Sequence, residues 1–371
     1  VPQQKFSSEE LTPIISSFRI SGSFTHAVPL RTGHINDTLL VHVNNHQQPD
    51  YVLQRINTDI FRNVDQLMEN IWHVTSHLQQ KINNDGTSVI KPGTLELVNT
   101  TTDDLYHTDC DGNCWRCFVY CRHNASATQR ITPSIAAEGG RALGVFQSML
   151  ADLPALRLHQ TIPDFHNLPS RLSQFNAALQ KNPRKRAAEV AAEIEAISRR
   201  AKDMLLVHRL ADEGKIPLRI THNDTKINNI LFDDQEKALC LVDLDTVMPG
   251  YVHFDFGDAI RTLASTATED DPQIDNISVD LNLYESFAQG YLKVMKDVLN
   301  ATEIETLSFS PRLMTYIMAV RFFTDYLQGD TYYKTDYPDH NLVRTRNQLA
   351  LLQAMEAAAD KMESIIQEIV D

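Results

Sequence analysis

The sequence holds no apolar run near the roughly 18 residues that a membrane-crossing helix needs, so no such helix is expected. Its first residues, VPQQKFSSEE, lack a basic segment followed by an apolar one, so no secretory signal is expected either. Positive charge is scarce: 34 Lys and Arg stand against 48 Asp and Glu, a net charge of −14. Nucleic acids and anionic membranes are bound through a basic face that releases counterions, so the balance argues against both as partners. Cysteines are few and odd in number: five, four of them within twelve residues. A disulfide scaffold is therefore not expected, and the reading is a reducing, cytoplasmic setting. Internal repeats and low-complexity linkers are also absent. What remains is ordinary: 371 residues, 42% hydrophobic and 22% charged, enough for two lobes with a sizeable core.

The first 120 residues read mainly as strands. Phe24 to Leu30 and Thr38 to Val43 carry β-type residues on either side of RTGHIND, whose Gly and Asn signal a turn. In YVLQRIN (51–57), alternation puts Tyr51, Leu53 and Arg55 on one face of a strand. Val64, Leu67, Met68, Ile71, Trp72 and Val74 recur at helical spacing between Asn63 and Leu78. LYHTD and CWRCFVYC, joined through Cys110-Asp111-Gly112-Asn113, read as a hairpin. After residue 121 helices dominate, expected over about 132–153, 184–210, 280–298, 311–328 and 341–369, with short strands across 218–245. The expected fold class is α+β: a β-rich N-terminal lobe, 1–120, and a larger helical lobe, 121–371, with a cleft between them.

The chemistry concentrates in LRITHNDTKINNILFDDQEKALCLVDLDTVMPGYVHFDFGDAIR (218–261). Asn229 lies five residues after Asp224, and a hairpin through Asp233-Asp234 would bring Asn229 beside Asp243. A carboxylate at the end of an apolar strand is costly unless something pairs with it, and a bound cation is one answer. An amide oxygen and a carboxylate are hard ligands suited to Mg²⁺ shared with substrate phosphates. Asp224 can accept a hydrogen bond from a hydroxyl, and Lys226 can offset charge on a transferring phosphoryl group. Those are the parts that phosphoryl transfer uses.

The octet His222-Asn223-Asp224-Thr225-Lys226-Ile227-Asn228-Asn229 resembles the protein-kinase catalytic loop H-R-D-x-x-x-x-N, and Asp243 falls where the D-F-G aspartate would be. Asp243-Leu244-Asp245 in that place is similar to the aminoglycoside phosphotransferase and choline kinase group of kinase-like enzymes. Within that group the chain most resembles sugar kinases acting on the anomeric hydroxyl of N-acetylhexosamines, through GHIND, YVLQRIN, LMENI, THNDTKINN, LVDLDTVMPG, FDFGDAIR and RFFTDYLQGDTYY. The resemblance implies a two-lobed protein-kinase-like fold, ATP with Mg²⁺ between the lobes, and a small sugar acceptor. It implies Asp224 as catalytic base, aided by Lys226, with Asn229 and Asp243 as metal ligands. Arg55 stands where the kinase V-A-I-K lysine would be, with Glu69 as partner or Asp65 one turn away. Gly33 lies in the loop that would cover ATP, and Val119 and Cys121 lie in an interlobe link offering backbone groups to adenine. Asp258 would cap a helix and brace the catalytic loop. His34, Arg321, Asp325 and Tyr332 are the acceptor candidates, although Arg321 and Asp325, one helical turn apart, can also simply pair. Asp245 is left open as second ligand or as support. Other small hydroxylated acceptors (an aminoglycoside, choline or a homoserine-like molecule) and a nucleotide-binding protein without catalysis are the competing expectations. Cys110, Cys114, Cys117 and Cys121 match a zinc site in number, but alternation puts Cys114 opposite Cys117 and Cys121, and reduced thiols are expected.

Overall fold

Ser7 caps the first helix, α1 (Ser8–Ser16), accepting from the Glu10 N–H while Glu10 reaches back to Ser7. The structure is a computed structural model that describes residues 6–30, 35–44, 49–84 and 93–371. Strands β1 (Phe24–Pro29), β2 (Asp37–Val43) and β3 (Tyr51–Arg55) form an antiparallel meander, followed by α2 (Val64–Asn84). Short strands β4 (Leu97–Val98) and β5 (His107–Thr108) both pair with β6 (Cys114–Val119), completing a sheet of order β1-β2-β3-β6-β4. Leu11, Ile14 and Ile15 of α1 pack with Leu39, Val41, Tyr51, Leu53 and Trp115 on one sheet face. The other face, through Val52 and Phe118, joins a core with α2 and the helical part of the chain. A sheet covered on both faces in this way makes residue parity decide which side chains reach the cleft.

The helical part follows as α3 (Pro133–Met149), α4 (Leu168–Lys181), α5 (Ala191–Met204) and α6 (Leu206–Asp212). Next come β7 (Arg219–Thr221), β8 (Ile230–Phe232), β9 (Ala238–Leu241) and β10 (Met248–Gly250), in two small antiparallel pairs, β7 with β10 and β8 with β9. Then α7 (Val252–Leu263), α8 (Leu281–Met295), α9 (Ala301–Glu305), α10 (Ser310–Gln328), α11 (His340–Ala357) and α12 (Ala359–Val370) complete the chain. This is the two-lobed, kinase-like architecture. The helix expected over 184–210 is shorter and broken: Asn182 (φ 36°) and Lys185 (φ 58°) are left-handed, and α5 starts only at Ala191. The final helix is likewise two, split at Ala358. Among the described residues no helix is long and apolar enough to cross a membrane.

Helices α3 and α8 approach closely at glycines. A Cβ on Gly290 would lie 1.8 Å from the Ala137 carbonyl oxygen, and one on Gly140 would lie 2.1 Å from that of Phe287. Alanine in an ordinary helix gains about 1 kcal/mol over glycine. Here backbone overlap wins, so Gly290→Ala is expected to cost about 3 kcal/mol or more. A lowered thermal midpoint checks this; a raised one would show that the helices separate freely.

Candidate active site

The loop after β7 is built from buried polar contacts. Asp255 on α7 accepts the N–H groups of His222 (2.8 Å) and Asn223 (2.7 Å), and Gln147 donates to it from α3 (2.7 Å). Asp258, one turn further on, accepts from the Thr225 N–H (3.1 Å) and from Arg261. Asp258 thus braces the loop as expected, but from inside α7 and not as a cap. Asp255 carries more of the load and was missed by sequence reading. Its signal was a carboxylate at i, i+3 from Asp258 in an apolar helix. His222 reaches the residue that follows β9 through Val242 O (2.9 Å), and Thr246 donates to His222 O (2.7 Å). Asn223 is left-handed (φ 65°), a conformation Asn tolerates, and its amide holds Thr246 O (2.9 Å).

These contacts leave Asp224 half-buried at the loop edge. Its Oδ2 accepts from Lys226 Nζ (3.0 Å) and from Asn229 Nδ2 (3.0 Å), so Oδ1 is the oxygen left for an incoming hydroxyl. Burial works against the Lys226 charge, but Asp224 and Asp243 outweigh it, and the ammonium pKa lies above its ordinary value. Asn229 uses Nδ2 a second time on Asp224 O (2.8 Å), which leaves Oδ1 as its donor atom toward a cation. Its carbonyl accepts from the Val242 N–H (2.9 Å), which sets Asn229 beside Asp243. Strand β9 stops at Leu241. Asp243 is left-handed (φ 63°, ψ 53°) and opens a short 3₁₀ turn, so it lies just beyond the strand and not within it. Among the described residues no hydrogen bond or ion pair reaches the Asp243 carboxylate. Burial, then Asp245 and Asp224, push its pKa up to about 6.

The remaining candidates are placed unevenly. Arg55 lies on the α1 face, paired with Asp37 (Nε to Oδ2, 2.9 Å) and stacked over Phe6 at 5.2 Å. Glu69 is exposed and meets His159 (2.9 Å). The expected Arg55–Glu69 pair is therefore corrected, and Arg55 faces away from the cleft. Parity explains this: Arg55 shares a face with Tyr51 and Leu53, and α1 covers that face. The Val119 N–H is spent on Glu96 O (2.9 Å), and Cys121 lies beyond the end of β6 with its carbonyl bonded to His123 Nδ1 (2.9 Å). Gly33 and His34 lie outside the described residues. The cysteines are free thiols, and among the described residues no three His, Cys, Asp or Glu side chains converge on a metal position.

On the acceptor side, Asp325 does not pair with Arg321. Its buried carboxylate accepts the N–H groups of Thr331 (2.8 Å), Tyr332 (2.8 Å) and Tyr333 (2.9 Å) and the Asn341 amide (2.9 Å). It shapes the Tyr332 turn and offers the cleft no carboxylate, which corrects its expected role. Arg321 is buried under Phe165 (4.7 Å) and Tyr333 (5.7 Å). Next to Phe165, His166 bonds Asn223 O (2.9 Å), which ties this wall to the loop after β7. Burial and Arg321 push the His166 pKa down to about 3. Arg171 is near enough that burial and then Arg321 lower its own pKa. Tyr332 is exposed and stacks edge-on to Tyr333 at 4.8 Å.

The sequence matches the model of the phosphotransferase enzyme family over residues 26–293. The chain belongs to that family. Solved structures agree with this phosphotransferase on fold. A microcompartment-associated aminopropanol kinase is 15% identical with a TM-score of 0.65, over 96% of this chain and 99% of that one. A spectinomycin phosphotransferase solved with ADP and spectinomycin is 13% identical with a TM-score of 0.60, over 95% and 99%. An ethanolamine kinase from Plasmodium vivax is 11% identical with a TM-score of 0.51, over 91% and 83%.

Proposed function

We propose that this phosphotransferase moves the γ-phosphoryl group of ATP to a hydroxyl of a small neutral sugar, with the anomeric hydroxyl of N-acetylglucosamine or N-acetylgalactosamine as acceptor. Asp224 Oδ1 takes or orients the hydroxyl proton. Lys226 offsets charge on the transferring group while its bond to Asp224 holds both in place. Asn229 and Asp243 supply only two oxygen donors, which fits Mg²⁺ completing its shell with phosphate oxygens and water. Mg²⁺ bound there supplies charge neutralisation on the phosphates. The nucleotide lies between the lobes, with the backbone of Cys121 beside the adenine.

The observation that carries the sugar reading is the wall beside Asp224. Arg171 and Arg321 sit among Phe165, Tyr332 and Tyr333; among the described residues neither guanidinium is in an ion pair, and Arg171 donates to Phe165 O (3.0 Å) and Gln174 (3.1 Å). An ammonium-bearing acceptor wants carboxylates at that wall, and Asp325 there is taken up by backbone N–H groups and the Asn341 amide. A sugar with hydroxyl and acetamido oxygens suits guanidinium donors and aromatic faces. The test is an acceptor panel of N-acetylglucosamine, N-acetylgalactosamine, spectinomycin, choline, ethanolamine and homoserine with ADP detection, and phosphorus NMR of the product. The expected outcome is sugar 1-phosphate. Arg321→Ala should raise the acceptor KM by about tenfold or more, with the ATP KM unchanged. Turnover of choline or ethanolamine in preference to both sugars would overturn the reading.

A further inference from the structure

With Arg55 turned outward, the sheet lobe needs another cation at the cleft, and the same parity supplies one. Arg116 on β6 stands opposite Gln54, one residue out of step with Arg55, and so points to the other face. It is 1% exposed. Its Nε donates to Gln54 Oε1 (2.9 Å), and Gln54 donates on to Thr38 (3.0 Å). Its Nη1 is ion-paired with Asp245 Oδ1, and Asp245 is 2% exposed. The other Asp245 oxygen accepts from Asn36 Nδ2 (2.7 Å), whose Oδ1 is held by the Asn57 N–H (2.9 Å). Thr161 fixes the Asp245 carbonyl (2.8 Å). Thus a residue two positions after Asp243 is gripped by two segments of the sheet lobe, at Arg116 and Asn36, and by Thr161 of the helical part.

We propose that Arg116 is a positioning residue of the phosphotransfer reaction. Through Asp245 it holds Asp243 under the nucleotide lobe, and it keeps Asp245 from competing with Asp243 for the cation. The proposal rests on the ATP-dependent reading above but not on the sugar. Lys226 serves Asp224 and Asp243, so without Arg116 the Asp245 carboxylate would lose the cation paired with it. With it, both oxygens of Asp245 are engaged, so Asp245 supports the site and Asp243 is the ligand. Arg116 and Asp245 also face each other across the lobes, which makes their pair a clamp on the cleft.

The test is a double-mutant cycle over Arg116→Gln, Asp245→Asn and the pair, with Arg116→Lys as the conservative variant. Measured are kcat, the separate KM values for Mg-ATP and acceptor, and Mg-ATP binding by calorimetry without acceptor. Arg116→Gln should lower kcat/KM for ATP by about 100-fold and leave the acceptor KM within about threefold. Adding Asp245→Asn should restore about tenfold or more, and Arg116→Lys should keep most of the rate. Arg116→Gln with wild-type ATP constants, or two single effects that simply multiply, would overturn the proposal. If Arg116→Gln fails to fold by circular dichroism, the lysine variant and the uncharged double variant decide by the same comparison. Mg-ATP binding that depends on Arg116, with no turnover of any sugar, keeps this proposal and sinks the acceptor assignment. A wild-type protein that does not bind Mg-ATP sinks both.

Discussion

Asp224→Asn loses roughly three orders of magnitude in kcat with the true acceptor, since a positioned carboxylate base contributes about 10²–10⁴-fold. The amide keeps the shape and an oxygen for Lys226 and Asn229, but it cannot take a proton. The fold should be untouched, because the loop is held by Asp255, Asp258 and Asn223 and not by Asp224. Asp243→Ala should lose activity on a similar scale for a different reason: one of the two proposed cation ligands disappears. Its metal-free form should melt no lower than wild type at pH 8. The Asp243 pKa, raised to about 6 by burial and by neighbouring carboxylates, means that its charge disfavours the folded state once the pH exceeds that value. Steady-state rates, together with thermal melts without Mg²⁺, check both variants. Near-full activity of Asp224→Asn would remove Asp224 as the base.

The second large effect is acid instability. His253 is fully buried and His166 is 5% exposed, and burial pushes both pKa values down to about 3. A histidine that is neutral when folded and titrates near 6.5 when unfolded binds more protons in the unfolded state. Stability is therefore complete above the unfolded pKa and is lost as pH falls from about 6.5 toward 3. At pH 5 each residue costs about 2 kcal/mol, so the two together take about 4 kcal/mol of a total near 5–15. Urea unfolding at pH 7.5 and pH 5 measures the loss. His253→Gln, which keeps a donor for Thr306, should remove about half of it. If the variant and the wild type weaken equally between the two pH values, His253 is not buried neutral as described.

Much of the candidate site was legible because its residues are local. Asp224, Lys226 and Asn229 sit within one loop, and a single hairpin turn brings Asp243 to Asn229, so spacing alone placed four side chains together. The strands β1, β2 and β3 and the helix α2 were legible for a similar reason, since period 2 and period 3.6 are written in consecutive residues. Other assignments depended on what docks where. Alternation grouped Tyr51, Leu53 and Arg55 correctly, yet only the docking of α1 shows that this face is the covered outer one. Asp325 and Arg321 had the right helical spacing for a pair, but the backbone of the turn at 331–333 claimed the carboxylate first. Arg116 had no local signal, because its partner is 129 residues away.

The sequence by itself determined the catalytic loop, the hairpin that carries Asp243 and the alternation of each strand, because these follow from contacts between near neighbours and from backbone geometry. Only the tertiary structure decided which face of each element meets the cleft, and hence that Arg116, not Arg55, pairs with Asp245 there and that Asp325 supports a turn. Those choices are set by long-range packing of apolar surface and by the need of every buried charge for a partner, and neither is encoded in spacing.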